Sequence, residues 1–248
     1  MDLHLRGRTA LVVGASRGLG AAIARTLVDE GANVGLLARD AEALHEIARS
    51  LGSNALALPV DVLDDNGVIQ AIKALRERWS APTIVVWCVA DRFQHQKLPD
   101  ISTERVDELL RTDLHAPAKL LARVLPDMVA ARHGRIVLLG SLAASHGLRG
   151  APLYGAAKAA LEGLCRAIAV DHGRFGVTAN VVRLGVVATE RLADRGVDVE
   201  AWRRRSPSRR LVTVQEVADT VAWLCSERAI CVNGAVLDVT SGLHLSAM

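Results

Sequence analysis

Short apolar runs alternate with longer amphipathic segments along the whole of this chain. Thr9–Val13, Asn33–Ala38, Ala55–Val60, Ile84–Cys88, Arg135–Gly140, Thr178–Leu184 and Ala235–Val239 are too short for helices, and most are rich in Val, Ile and Leu without polar alternation. Runs of that kind suit strands buried on both faces of a parallel sheet. Between them, Leu19–Glu30, Ala41–Leu51, Asn66–Trp79, Thr103–Arg132, Leu153–Arg174 and Gln215–Cys225 carry helical spacing. Parallel strands need crossover connections, and crossovers cover a sheet with helices on both faces. The pattern predicts an α/β fold, a doubly wound parallel sheet of about seven strands. The rhythm is broken by no Pro/Gly/Ser linker and no internal repeat, so residues 1–248 are expected to form one domain.

Bulk numbers exclude several function classes. Half of the 248 residues are hydrophobic, enough for a sizeable core, and the net charge is only +3. That balance does not call for nucleic acid, and with aromatics at 3% there are too few rings for stacking on single strands. Cys88, Cys165, Cys225 and Cys231 form no CxxC pair and no zinc-like spacing, so no metal site is expected. They read as reduced, mostly buried thiols of a cytoplasmic protein. Met1-Asp2-Leu3-His4-Leu5-Arg6 has no signal-type apolar region, and no run reaches the ~18 apolar residues of a membrane span.

One stretch departs from the rhythm. Residues 185–210 lack clean periodicity and carry Arg191, Arg195, Arg203, Arg204, Arg205, Arg209 and Arg210. In open α/β sheets ligands bind beyond the carboxyl ends of the strands. A segment leaving the strand that ends at Leu184 is therefore either a substrate lid or a solvated, charged surface helix.

The first strand runs into Gly14-Ala15-Ser16-Arg17-Gly18-Leu19-Gly20 and then a helix. Glycines allow a tight turn and close approach to phosphate, while a helix N-terminus offers unpaired N–H groups. Gly14, Ser16, Arg17, Gly18, Leu19 and Gly20 are thus candidate nucleotide-binding residues. The second strand ends in Ala38-Arg39-Asp40. A carboxylate here binds the ribose of NAD, whereas an arginine accommodates the 2′-phosphate of NADP. Arg39 and Arg17 favour NADP(H). Asp40 is either the ribose acid or the N-cap of the helix starting at Ala41.

Tyr154 is the single tyrosine of the chain, and Lys158 follows it by one helical turn. An ammonium group beside a phenol favours the phenolate, giving a proton donor and acceptor usable near neutral pH. Ser141, separated from Tyr154 by twelve residues, supplies a hydroxyl at a strand end. His95 and His146 either line the substrate pocket or sit on the surface.

Gly14-x-x-x-Gly18-x-Gly20, Asp61-Val62, Ser141, Tyr154-x-x-x-Lys158 and Gly185-x-x-x-Thr189, in this order, resemble the short-chain dehydrogenase/reductase family over the whole chain. Arg132-His133-Gly134-Arg135-Ile136-Val137 is most similar to the β-ketoacyl-carrier-protein reductase type. The resemblance implies a Rossmann-like fold with a lid at about 185–210. It implies that Asp61 and Val62 contact adenine, that Ala90, Gly185 and Val187 line the cofactor, that Thr189 meets the nicotinamide carboxamide, and that Lys158 holds the nicotinamide ribose. Ser141, Tyr154, Lys158 and Asp113 become the catalytic set: oxyanion donor, proton donor, its electrostatic partner and anchor of a relay water. The family pattern has Asn-Asn-Ala-Gly where this chain has Trp87-Cys88-Val89-Ala90, Asn where it has Asp113, and Asp-Gly-Gly where it has Thr240-Ser241-Gly242. The expected activity is NADP(H)-dependent reduction of a ketone, including a β-ketoacyl thioester on an acyl carrier protein, to a secondary alcohol. The alternative is a catalytically weak NADP(H)-binding protein with a sensing or assembly role. Small residues along the helix from Leu153 either let a second copy approach or pack on the helix's own sheet, and the resemblance implies a homo-oligomer, a dimer or tetramer.

Overall fold

The computed structural model describes residues 2–90, 95–189, 192 and 197–246. Strands β1 (Thr9–Val13), β2 (Asn33–Ala38), β3 (Ala55–Pro59), β4 (Ile84–Trp87), β5 (Gly134–Ser141), β6 (Val177–Leu184) and β9 (Val236–Val239) form one sheet in the order β3-β2-β1-β4-β5-β6-β9. Every pairing in it is parallel. The helices are α1 (Gly18–Asp29), α2 (Ala41–Leu51), α3 (Asp65–Arg78), α4 (Thr103–Leu110), α5 (Ala116–Ala130), α6 (Pro152–His172), α7 (Val199–Arg205) and α8 (Val214–Cys225).

Strand β1 shows why both faces are covered. Ala10 and Val12 enter a core shared with Ile23 and Leu27 of α1, Leu44 of α2 and Val217 and Val221 of α8. Leu11 and Val13 enter the opposite core with Leu75 of α3, Leu120 and Val124 of α5 and Leu161 of α6. All four of those β1 side chains are wholly buried, which is what an apolar run without alternation requires. The chain winds outward from β1 to β3, then returns to add β4 on the other side of β1. The crevice beyond the carboxyl ends of β1 and β4 is therefore the switch point where such sheets hold ligands.

Two segments differ from expectation. The helical run 103–132 is interrupted: a π-turn at Arg111–His115 separates α4 from α5, with Asp113 fully buried in it. One extra residue per turn costs the regular hydrogen-bond ladder, and such turns recur at functional sites. Residues 185–213 are not featureless. The two-residue strands β7 (Val187–Ala188) and β8 (Val212–Thr213) pair in parallel and close the base of the excursion, and α7 lies within it. Arg191 and Arg195 lie outside the described residues.

A buried ionic cluster sits at the opposite, amino-terminal edge of the sheet. Arg135 of β5 is 1% exposed and donates to the carbonyls of Gly134, Gly176 and Ser226 and to Glu227 at 2.8, 3.0, 3.3 and 3.0 Å. Arg8 and His133 share the same Glu227 carboxylate at 3.2 and 3.1 Å. Burial, with the positive charges of Arg135 and Arg8, pushes the His133 pKa from 6.5 down to about 4, so its Nδ1 proton is donated to Glu227 from a neutral ring. Arg132 also lies at this end and donates to the Arg174 carbonyl at 3.2 Å.

Candidate active site

The glycine segment connects β1 to α1. Gly14 and Gly18 have φ of +89° and +56°, in the left-handed region that side chains disfavour. A Cβ on Gly20 would fall 2.2 Å from the Gly14 carbonyl oxygen, so this glycine lets the helix start directly on the loop. The first turn of α1 carries no acidic residue, and Arg17 gives it no side-chain cap. Its amide donors are thus not taken up by the chain's own side chains, and a Cβ on Gly18 would meet nothing within 4 Å. Ser16 and Leu19 are half-buried and Arg17 is exposed beside them. Open space over uncapped donors and a guanidinium is a fitting cradle for a phosphate group.

Around this cradle, Asp40 accepts the Ala43 N–H at 3.1 Å and caps α2. Arg39 is largely exposed and stands 3.8 Å from Asp61. Asp61 also accepts the Leu63 N–H at 3.0 Å, while Val62 packs partly on the core. Trp87 is buried, and its indole N–H donates to the Val89 carbonyl at 3.0 Å. Val89 in turn places a methyl 3.1 Å from where a Gly14 Cβ would be. The Trp87–Val89 pair thus braces the glycine loop from below, and Ala90 beyond it is exposed.

The candidate catalytic residues come from three elements. Ser141 ends β5, and its hydroxyl accepts the Ala143 N–H at 3.2 Å. Tyr154 and Lys158 lie in the first turns of α6, whose start is set by Pro152. A Cβ on Gly155 would lie 2.6 Å from the Ala143 oxygen, so the backbone beside Tyr154 rests directly on the turn that follows Ser141. The Lys158 side chain is 2% exposed, donates to the Leu139 carbonyl at 3.4 Å, and stands 5.8 Å from the centre of the Tyr154 ring. Burial lowers the Lys158 pKa, while the negative charge of Asp113 raises it again. Burial holds the nearby Cys88 thiol up at about 12, so it is uncharged at neutral pH. The structure thereby brings Ser141, Tyr154, Lys158 and Asp113 to the carboxyl end of β5.

Gly185 leaves β6 in contact with Leu142, Thr240 and Leu243. Val187 is buried, and Thr189 donates its N–H to the Val187 carbonyl at 2.9 Å. His95 is exposed, with its ring pressed against Gly150, and the Gln96 N–H donates to the Gly150 carbonyl at 2.9 Å. These contacts stitch the loops after β4 and β5 together. Sequence reasoning missed this stitch, because a single imidazole on a glycine leaves no periodic trace. His146 is half-buried and shares a 2.9 Å hydrogen bond with the Ser145 hydroxyl. Among the described residues the cysteines are free, with Cys231 exposed, and no helix is long and apolar enough to cross a membrane.

Comparison with known proteins bears on the family and the fold. Residues 14–244 match a family model described as enoyl-(acyl carrier protein) reductase. The chain is 32% identical to the 3-oxoacyl-(acyl-carrier-protein) reductase FabG of Escherichia coli over 244 residues, covering 98% of this chain and 100% of that protein. It is 34% identical over 248 residues to the enzyme of the same name from Pseudomonas aeruginosa, with the same coverage. The crystal structure of L-sorbose reductase from Gluconobacter frateurii, complexed with NADPH and L-sorbose, is similar with a TM-score of 0.91, 27% identity and 100% of both chains covered. A Rossmann-like parallel sheet, a glycine cradle at its switch point, a Tyr–Lys pair on the flanking helix and these full-length relatives lead to one conclusion: the chain belongs to the short-chain dehydrogenase/reductase family of oxidoreductases.

Proposed function

We propose that this protein reduces a ketone to a secondary alcohol with NADPH, and that Tyr154 is its general acid. The observation that carries this reading is the buried Lys158 ammonium 5.8 Å from the only tyrosine ring of the chain, on a helix whose Gly155 rests against the Ser141 turn. The bound nicotinamide supplies the hydride. Ser141 donates a hydrogen bond to the carbonyl oxygen as negative charge develops there. Tyr154 gives that oxygen its proton, and Lys158 lowers the cost of the phenolate left behind. Lys158 also holds the nicotinamide ribose, and Asp113 anchors the water that returns a proton to the site. Asp113 pulls in two directions: it keeps Lys158 charged against burial, and it opposes the phenolate.

Gly14, Ser16, Gly18, Leu19 and Gly20 cradle the cofactor phosphates; Asp61 and Val62 meet the adenine; Ala90, Gly185, Val187 and Thr189 line the nicotinamide side. NADP(H) rather than NAD(H) is supported by Arg17 and Arg39 at the mouth and by Asp40, whose carboxylate is engaged as a helix cap. The whole chain acts as one domain whose lid is the excursion 185–210. α6 offers an outward face with exposed Ala156 and Gly163, the latter with nothing within 4 Å of its Cβ position, where a second copy approaches to form a homo-oligomer. The carrier-bound β-ketoacyl thioester is the substrate suggested by the relatives' names. Exposed Arg203 and Arg204 on α7, rather than Arg132 at the far end of the sheet, are then the basic residues an acidic carrier would meet.

The test is loss of NADPH absorbance with a panel of ketones, sugars and free and carrier-bound 3-oxoacyl thioesters, repeated with NADH. Turnover with NADPH and a ketone is expected; no turnover with any carbonyl compound sinks the reading. Equal kinetics for free and carrier-bound thioesters after charge reversal at Arg203–Arg205, as before it, removes the carrier.

A further inference from the structure

The C-terminal segment is tied to the excursion that leaves β6. Ser206, at the end of α7 and 2% exposed, donates its hydroxyl to the Ser241 carbonyl at 2.7 Å. The Ser208 hydroxyl donates to the same oxygen at 2.8 Å. Ser246 reaches back to the Arg205 carbonyl at 2.8 Å, and Pro207 packs against Gly242. Ser241 itself has φ of +54°, a left-handed conformation that a serine adopts only under constraint. Two hydroxyl donors on its carbonyl are such a constraint.

The next residues carry the connection onward. Leu243 is 2% exposed, and its side chain comes within 3.2 Å of where a Gly185 Cβ would lie. Thr240 and Leu142 approach the same point at 3.5 Å. Leu142 directly follows Ser141. A continuous packed path thus joins α7, the Ser241 clasp, the root of the excursion at Gly185 and the turn that carries the catalytic serine.

We propose that the Ser206 and Ser208 hydroxyls and the Ser241 carbonyl form a positioning clasp, which holds α7 against the C-terminal segment and fixes the lid-side wall of the cleft relative to Ser141. The proposal rests on the reductase reading for its kinetic consequence and on geometry alone for its mechanical one. None of the three serines touches a reacting atom. The clasp sets how tightly cofactor and carbonyl substrate are held, not the proton transfer.

The experiment uses the full chain with Ser206→Ala and Ser208→Ala together, and with Ser208→Ala alone, because Ser208 is exposed and packs into no core. In the double variant KM for NADPH and for the ketone should rise about tenfold with kcat changed less than about twofold, and in the single variant KM should rise by about a third of that on a logarithmic scale or more. Trypsin reads α7 without any turnover, since it cuts at Arg203, Arg204 and Arg205. Cutting there should speed up about tenfold in the double variant as the clasp opens. A lowered Tm with unchanged KM and unchanged cutting at α7 would mean the serines serve stability alone and overturns the proposal. If the unaltered protein turns over no carbonyl compound, the reductase reading falls, and the tryptic rates still decide the clasp: equal cutting overturns it, faster cutting upholds it.

Discussion

The two ends of the sheet hold buried cations in opposite ways. At the amino-terminal edge, Arg135 makes four hydrogen bonds, and Glu227 balances it together with Arg8 and His133. At the carboxyl edge, Lys158 has one long bond to a carbonyl, with the Asp113 charge and a tyrosine ring nearby. A saturated cation is fixed and stabilising. A cation held by burial on one side and a carboxylate on the other can shift its charge toward a neighbouring group. The first end keeps strands β5 and β6 joined to the segment after α8; the second is where the proposed mechanism moves a proton.

The comparison breaks first at Tyr154. Tyr154→Phe should lower kcat by about 10²–10⁴-fold while Tm and NADPH binding hold, as removal of a general acid requires. Turnover within tenfold of the unaltered enzyme would reassign the acid. At the other end, Arg135→Met should take one donor from each of three carbonyls and from Glu227 and destabilise the fold by about 2–4 kcal/mol, read by urea unfolding. The folded fraction should keep its kcat; a kcat loss without a stability loss would erase the division between the two ends.

Protonation sharpens the contrast. In the folded chain His133 stays neutral until about pH 4, whereas the unfolded chain takes up that proton near 6.5. The unfolded state therefore binds more protons between these values, so stability falls as pH falls through the window and levels off below it. The expected loss is on the order of 1–3 kcal/mol, and His133→Gln should flatten that part of the Tm-versus-pH curve. The smallest effect is expected at Asp113. Asp113→Asn removes the charge that opposes burial at Lys158, so the ammonium should lose its proton at lower pH. The high-pH limb of kcat should then move to lower pH. A limb that moves up, or does not move, would show that the Asp113 charge does not set the protonation of Lys158.

The parts of this architecture that repeat with a period were legible in the sequence. Val85 and Val86 or Val181 and Val182, apolar on successive positions, can only be strands covered on both sides. Tyr154 and Lys158 declared their contact through helical spacing. The π-turn was not legible, because the apolar spacing runs on through Arg111–His115 while one residue is inserted. Neither were β7, β8 and α7, since two-residue strands and a seven-residue helix are too short to carry a period. Arg135 opens the expected strand Arg135–Gly140 as its one charged residue, yet it is buried, because Glu227, 92 residues later, returns to it. The Ser241 clasp spans 35 residues through a backbone carbonyl, which has no residue identity to read.

The contact between Gly155 and the Ala143 oxygen has a consequence for how this site tolerates change. Side chains can swing to absorb an error in placement; two stretches of main chain in van der Waals contact cannot. The spacing between the serine turn and the tyrosine helix is gauged by peptide groups, so even a single added methyl at position 155 would act as a wedge, parting the two halves of the site while leaving every reactive group intact.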